Sequence, residues 1–467
     1  MHEVEQLIGG VWTPAAGDTF EVRSPVDGAA VSRVPVATES DVAAAVKAAR
    51  DAQPGWARTA PAARAAAVHA AADALEAAAD DIAELMRAEM GKPVADARGS
   101  IDAGIGTLRQ YAELGPVHRG RALAGNDEAI DLMAYQPRGV VAAITPWNDP
   151  VAVTCGLIGA ALVTGNTVVS KPSERTPAVG HAVVRALAPH LPDGVLSLLT
   201  GPGSVGAALT GADVDVVAHV GSTATGRAIA AVCARTGAKA LLENGGSDPL
   251  IVDAGVDPAW AAGQAALGAF ANSGQICVAV ERVYVHRSVA DAFLDALVAE
   301  AGAWADRLGP LVDTRHRDAV HAQVTAAVAA GATARCGGEV PPGPGAWYPP
   351  TVLAGCTDDM AVLREETFGP VAPVVVVDSF DEALARAADS PYGLAATVLT
   401  PSMSNAQRAW RDLPAGTVKI NAVFGGAPGG AAHPRRASGQ GFGYGPELLD
   451  ELTVTKAVHV EAPPSGW

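Results

Sequence analysis

Val214-Asp215-Val216-Val217-Ala218-His219-Val220-Gly221-Ser222-Thr223-Ala224-Thr225-Gly226-Arg227-Ala228-Ile229-Ala230 reads as an apolar strand, a glycine turn and the opening of a helix. The first N–H groups of a helix lack intrahelical partners, so this turn can hold a pyrophosphate. The same texture extends on both sides. From about residue 139, short β-branched runs at 139–145, 167–171, 194–200, 214–220 and 250–252 alternate with helical stretches. That alternation predicts an α/β fold with a parallel, doubly wound sheet. A second α/β region begins after Glu243 and runs through 280–286 and 371–377. A rival turn, Gly201-Pro202-Gly203-Ser204-Val205-Gly206, matches G-x-G-x-x-G letter for letter. It does not open the first βαβ unit, and no acidic residue follows at about 20 positions to hold a ribose.

Residues 38–115 read as Ala-rich amphipathic helices, with Thr38-Glu39-Ser40-Asp41 as a helix start and Val42, Val46 and Ala49 at helical spacing. Pro341-Pro342-Gly343-Pro344-Gly345 reads as a surface loop, because strand signals resume at once. Two β-like runs, 121–137 and 453–461, belong to neither sheet by simple order. The chain of 467 residues is long for one core, which predicts two or three domains. A net charge of −17 without any basic run argues against a nucleic-acid partner. No stretch of about 18 apolar residues indicates a membrane span, and the acidic start Met1-His2-Glu3-Val4-Glu5 lacks the order of a secretory signal. The five cysteines, Cys155, Cys233, Cys277, Cys336 and Cys356, form no C-x-x-C pair. Neither a metal site nor a disulfide framework is expected, and a reducing cytoplasm is the natural compartment.

Cys277 ends Phe270-Ala271-Asn272-Ser273-Gly274-Gln275-Ile276-Cys277, and a lone carboxylate stands in Leu242-Glu243-Asn244-Gly245-Gly246. A thiol and a carboxylate suit covalent catalysis in two stages: the thiolate attacks a carbonyl, and the carboxylate later activates the releasing water. Lys171 and Glu174 end an otherwise apolar strand, which taken alone reads as a solvated strand end with a helix cap; beside the other motifs, a cation and a carboxylate there can hydrogen-bond the ribose hydroxyls of an adenosine. A carboxylate there repels a 2′-phosphate, which favours NAD over NADP.

These segments, together with Pro146-Trp147-Asn148, Lys171-Pro172-Ser173-Glu174, Gly221-Ser222-Thr223 and Glu366-Thr367-Phe368-Gly369-Pro370, resemble the NAD(P)-dependent aldehyde dehydrogenases of the hydrolytic type nearly end to end. The resemblance implies two doubly wound domains: a Rossmann-like cofactor domain (1–120 and 138–245) and a catalytic domain (246–437). It also implies a β-strand arm (121–137 and 453–467) that joins a homodimer or homotetramer. It makes Cys277 the nucleophile, Glu243 the base, and Asn148 an oxyanion donor with the Cys277 N–H. Cofactor contacts are implied for Ile144, Trp147, Lys171, Glu174, Gly201, Ser222, Gly245, Glu366 and Phe368. Gly201 would lie near the adenine and Ser222 near the pyrophosphate.

The departures from the family concentrate around the substrate. Asp149 stands where most relatives carry an aromatic residue, and Gly156-Leu157 replaces a Trp-Lys pair whose lysine reaches the base. Glu243 is therefore expected either to have a different partner or to hydrolyse slowly. Ala431-Ala432-His433-Pro434 stands in register for Pro-Phe-Gly-Gly, unless Phe424-Gly425-Gly426 is that motif displaced. Phe442-Gly443 replaces an Arg-Glu pair. A roomier, more polar pocket is expected around Asp149, Gly156 and His433, suited to a polar or bulky aldehyde. Asp149 has a second reading, as a cap on the following turn. Two further readings stay open at this point, a coenzyme A-acylating semialdehyde dehydrogenase and an NAD-binding pseudoenzyme. A thiol hydrolase fits less well, because no histidine accompanies Cys277 in any motif.

Overall fold

A computed structural model of the chain describes residues 1–14, 17–425 and 431–463. Among them, the largest sheet runs in the order Gly439–Gln440, Lys239–Glu243, Val216–Val220, Val140–Ile144, Thr167–Lys171, Leu196–Leu198, Gln6–Ile8, Val11–Thr13. The five strands from Lys239–Glu243 to Leu196–Leu198 are parallel. Their chain order reverses direction between Val140–Ile144 and Val216–Val220, so their carboxyl ends open a crevice there. A second sheet runs Thr333–Cys336, Thr351–Ala354, Val371–Val377, Val280–His286, Asp248–Val252, Ala395–Leu399, Thr417–Ile420, and is parallel except at Thr333–Cys336. Strands Val140–Ile144 and Thr167–Lys171 are buried at every position, as helices on both faces of a parallel sheet require.

Residues 38–115 form four helices, Glu39–Arg58, Pro61–Ala77, Ala79–Met90 and Val94–Leu114. The first begins at Thr38, which makes a reciprocal capping box with Asp41. Helix Pro150–Val163 is apolar all round and almost entirely buried. It lies tightly on Val94–Leu114, where a Cβ on Gly104 would sit 3.2 Å from the Ala152 Cα. Cys155 is buried in this contact and packs as a small apolar side chain. The runs 121–137 and 453–461 do stand apart: Arg121–Leu123, Ala129–Pro137 and Thr453–Glu461 form a separate antiparallel sheet. Residues 464–467 of the expected arm lie outside the described residues. The Pro341–Gly345 loop precedes strand Thr351–Ala354. No helix among the described residues is long and apolar enough to cross a membrane.

Glu89 joins the helical layer to strand Ala30–Pro35 and to helix Pro177–Leu187. Its buried carboxylate accepts from Ser32 Oγ (2.7 Å) and from the N–H groups of Ala178 and Val179 (3.2 and 3.0 Å), at the start of helix Pro177–Leu187. Burial raises its pKa from 4.5 to about 7, against the lowering effect of those donors. A raised folded-state pKa stabilises fully below the unfolded value, and that stability is lost as pH rises. We therefore expect the stability of the wild type to decline between pH 4.5 and about 7 by an amount that Glu89→Gln removes. Glu89→Ala, which strands three buried donors, should cost about 3 kcal/mol. Denaturation followed across pH checks both.

Candidate active site

A cavity of about 1080 Å³ lies against the carboxyl ends of both large sheets. One arm of it follows the crevice in the first sheet. Ile144 and Lys171 end adjacent strands there, and the buried Lys171 Nζ lies 3.7 Å from Glu174 Oε2. Burial lowers the pKa of Lys171, and Glu174 opposes that shift. Ser222 caps helix Thr223–Thr236 by accepting from the Thr225 N–H at 3.3 Å. Thr223 Oγ1 and both ring nitrogens of His219 are buried without a hydrogen-bond partner among the described residues. Burial holds the His219 imidazole neutral, with a pKa near 4. Uncommitted donors at a helix N-terminus, with a cation and a carboxylate two strands away, fit a dinucleotide.

The other arm ends at Cys277, which a left-handed turn delivers. After helix Pro258–Phe270, Asn272 and Ser273 adopt φ of 50° and 57°. Two buried hydrogen bonds hold this turn: Ser273 Oγ donates to Gly309 O (2.7 Å), and the Val312 N–H donates to Gln275 Oε1 (2.9 Å). Asn148 Nδ2 donates to Gln275 O at 3.0 Å, and Asn272 Nδ2 donates back to Asn148 O at 3.2 Å. The Asn148 amide is thus fastened to the loop carrying Cys277, with its second N–H unspent.

Glu243 ends strand Lys239–Glu243, and its Oε1 accepts from the Gly443 N–H at 2.9 Å. A Cβ at 443 would collide with the Glu243 side chain, so the family's glutamate cannot occupy 443 with Glu243 in this position. Of the two expectations for Glu243, the structure supplies the different partner: a backbone amide, with Leu157 buried in the place of the lysine. Gly245 and Gly246 let Glu366 approach. A Cβ on Gly245 would strike its carboxylate, and the Gly246 N–H donates to Glu366 Oε1 at 3.0 Å.

Buried Glu281, silent in the sequence, accepts from the N–H groups of Thr367 (2.9 Å) and Phe368 (2.7 Å) and holds Phe368 at φ 54°. His316 Nε2 donates to Phe368 O at 2.7 Å, and Trp147 packs edge-on to Phe368 and His316.

Electrostatically the centre is a crowd of buried carboxyls. Burial pushes the Cys277 thiol up to about 12, and the carboxylates of Glu243, Asp248, Glu366 and Asp149 push it in the same direction. Burial raises Glu243 to about 8, against its hydrogen bond from Gly443. Glu366 rises to about 7 by burial.

Ile144, Trp147, Lys171, Glu174 and Ser222 line this cavity, and so do Asn148, Glu243, Gly245, Cys277, Glu366 and Phe368. Three expected residues do not. Gly201 sits at φ 143° in the turn before helix Gly203–Thr210, and Gly203, Gly206 and Thr210 line the cavity in its stead. His433 is exposed: its Nδ1 faces Pro434 O, its Nε2 accepts from the Gly441 N–H at 3.1 Å, and its ring packs on Phe442. It stabilises its own loop. Gly156 is covered by Tyr444, whose Cε1 would lie 3.2 Å from a Cβ at 156. An aromatic ring from the C-terminal loop therefore takes the place vacated there, which corrects the expectation of a roomier wall at 156. Asp149 does line the cavity; it makes no standard cap hydrogen bond to helix Pro150–Val163, although the Ala152 N–H in the first turn of that helix favours its ionised form. Of the displaced-motif candidate, Phe424 packs against the core of the second sheet, while Gly426 lies outside the described residues. Sequence reasoning missed Lys92, Ser100 and Tyr444 on the cavity wall. Tyr444 had a signal, because it follows the altered Phe442-Gly443 pair.

Residues 12–458 match the family model for aldehyde dehydrogenases. The chain belongs to the aldehyde dehydrogenase family. It is 38% identical to the 3,6-anhydro-alpha-L-galactose dehydrogenase of Streptomyces coelicolor, over 95% of this chain and 93% of that one. The crystal structure of an NAD-dependent aldehyde dehydrogenase from Sinorhizobium meliloti superposes with a TM-score of 0.95 at 34% identity, covering 99% of this chain and 96% of that one. A betaine aldehyde dehydrogenase from Staphylococcus aureus in complex with NAD+ also gives 0.95, at 31% identity over 99% and 98%.

Two outcomes follow for this aldehyde dehydrogenase. Iodoacetamide should alkylate Cys277 in the ligand-free protein at a rate that keeps climbing above pH 9. Glu243→Gln, by removing a neighbouring anion, should move that profile down by about one pH unit. Gly156→Trp should cripple the enzyme by colliding with Tyr444, and Gly156→Trp combined with Tyr444→Leu should recover most of the loss in melting temperature and activity.

Proposed function

We propose that this aldehyde dehydrogenase oxidises a polar aldehyde to its carboxylic acid with NAD, through a thioester on Cys277. The observation that carries the proposal is one cavity holding a thiol, a separate buried carboxylate and an amide donor tied to the thiol's loop. Lys171 and Glu174 would hold the adenosine ribose, Ser222 and its helix the pyrophosphate, and Glu366 and Phe368 the nicotinamide end. When bound, NAD accepts the aldehydic hydrogen with its electron pair.

The protein's own residues do the rest. A buried thiolate and a buried carboxylate oppose each other, so the Cys277 proton passes to Glu243 as the sulfur attacks the carbonyl carbon. The carbonyl electron pair moves to oxygen, where the free Asn148 N–H and the Cys277 N–H meet it. Loss of the aldehydic hydrogen re-forms the carbonyl and leaves a thioester. Glu243, having lost its proton to solvent, takes one from water. The hydroxyl adds to the thioester, the C–S bond breaks with its electron pair passing to sulfur, Glu243 returns its proton to that sulfur, and the acid departs. A carboxyl with a pKa near 8 serves both proton transfers at neutral pH.

The Glu174 carboxylate favours NAD over NADP. The separate antiparallel sheet, with Ile130 and Val460 exposed on it, supports an oligomerisation arm. The two large sheets support a cofactor domain of 1–120 and 138–245 beside a catalytic domain of 246–437. Free thiols at all five cysteines suit a reducing cytoplasm.

NADH formation with a panel of aldehydes tests the proposal. Cys277→Ala should lose about a thousandfold or more in kcat/KM with every aldehyde. Glu243→Gln should slow the single-turnover burst as well as the steady-state rate, the latter by about a hundredfold or more. NAD should exceed NADP by about tenfold, a margin that Glu174→Gln narrows. A requirement for coenzyme A would refute hydrolytic release.

A further inference from the structure

At the wall of the cavity near Cys277, Asp149 Oδ1 is fully buried and has no hydrogen-bond partner among the described residues. Its pKa is raised by burial, while the Lys92 ammonium, the Ser100 hydroxyl and the Ala152 N–H favour its ionised form, which leaves Oδ1 as the free acceptor. Lys92 is itself buried and donates to Ser100 Oγ at 2.5 Å. An ammonium has three donors, and that bond uses one. Lys92, Ser100 and Asp149 all line the cavity that holds the thiol. They come from the turn after helix Ala79–Met90, from helix Val94–Leu114 and from the segment after Val140–Ile144. The wall thus presents an uncommitted acceptor beside a cation with donors to spare.

We propose that Lys92, Ser100 and Asp149 form a hydroxyl-binding subsite, and that the substrate is a short aldehyde with a hydroxyl, or a vicinal pair of hydroxyls, next to the carbonyl. The proposal rests on the aldehyde oxidation set out above. A substrate hydroxyl donates to Asp149 Oδ1, and its neighbour accepts from Lys92. An alkyl chain would leave both buried groups unpaired, which is the arrangement that discriminates most strongly against a substrate lacking the hydroxyl. An amino-aldehyde would bring a second cation against Lys92. The Tyr444 ring covers Gly156 and lines the same cavity.

The test compares glyceraldehyde with propanal in the wild type, Asp149→Leu and the near-isosteric Asp149→Asn. The ratio of kcat/KM is read, so that the differing hydration of the two aldehydes cancels between variants. In parallel, 2,3-dihydroxypropanamide and propanamide, which cannot be oxidised, are compared for slowing iodoacetamide alkylation of Cys277. The wild-type ratio should favour glyceraldehyde and fall at least about tenfold in Asp149→Leu, with Asp149→Asn between them. Protection by the dihydroxy amide should disappear in Asp149→Leu. A ratio that is the same in all three proteins overturns the subsite, as does a stronger Asp149-dependent preference for 3-aminopropanal. If neither aldehyde is turned over but Asp149-dependent protection persists, the subsite stands and the oxidation reading falls.

Discussion

The whole site depends on how closely the Cys277 backbone and the Glu366 carboxylate approach the bare backbone of Gly245-Gly246. A Cβ on Gly246 would lie 2.6 Å from Cys277 O, and one on Gly245 would enter the Glu366 carboxylate. No side chain fits in either place. The strand carrying Glu243, the loop carrying Cys277 and the turn carrying Glu366 can therefore converge only around two bare residues. Glu281 and the left-handed turn at Asn272-Ser273 then fix the remaining freedom of the two incoming segments.

That convergence has an electrostatic consequence. Glu243, Glu366, Asp248 and Asp149 all act on one thiol with the same sign, and burial raises each of them. Such a centre cannot carry every negative charge at once, so the thiol rests protonated and gains its charge only when a proton moves to a neighbour. The backbone amide of Gly443 suits this arrangement, because it holds Glu243 in place without adding a full positive charge. A lysine in the position of Leu157 would have lowered the pKa of Glu243 and altered the balance.

The departures from the family show compensation across the chain. A small residue at 156 would open the wall, yet Tyr444 arrives from almost 300 residues later to close it. Gly443 removes a side chain so that Glu243 can lie there. These changes therefore act together: the altered C-terminal loop supplies both the ring over Gly156 and the amide on Glu243. What stays polar is the other wall, at Asp149, Lys92 and Ser100.

The sequence by itself determined the doubly wound sheets, the helical layer of 38–115 and the pairing of Cys277 with Glu243. The sheets and the helical layer follow from local periodicity and turn chemistry, and the pairing of Cys277 with Glu243 follows from the family resemblance of the two motifs that carry them. Only the tertiary structure decided that Asp149 faces the cavity, that His433 and Gly201 do not, and that Glu243 is held by Gly443. It also brought in Lys92, Ser100 and Glu281, which no local pattern marks, and Tyr444, which only the altered Phe442-Gly443 pair before it signals. A side chain's direction and partners are set by long-range packing: Asp149 meets Lys92 and Ser100 only because helix Val94–Leu114 lies against helix Pro150–Val163. Periodicity records which face of an element is buried, but not what waits on the other side.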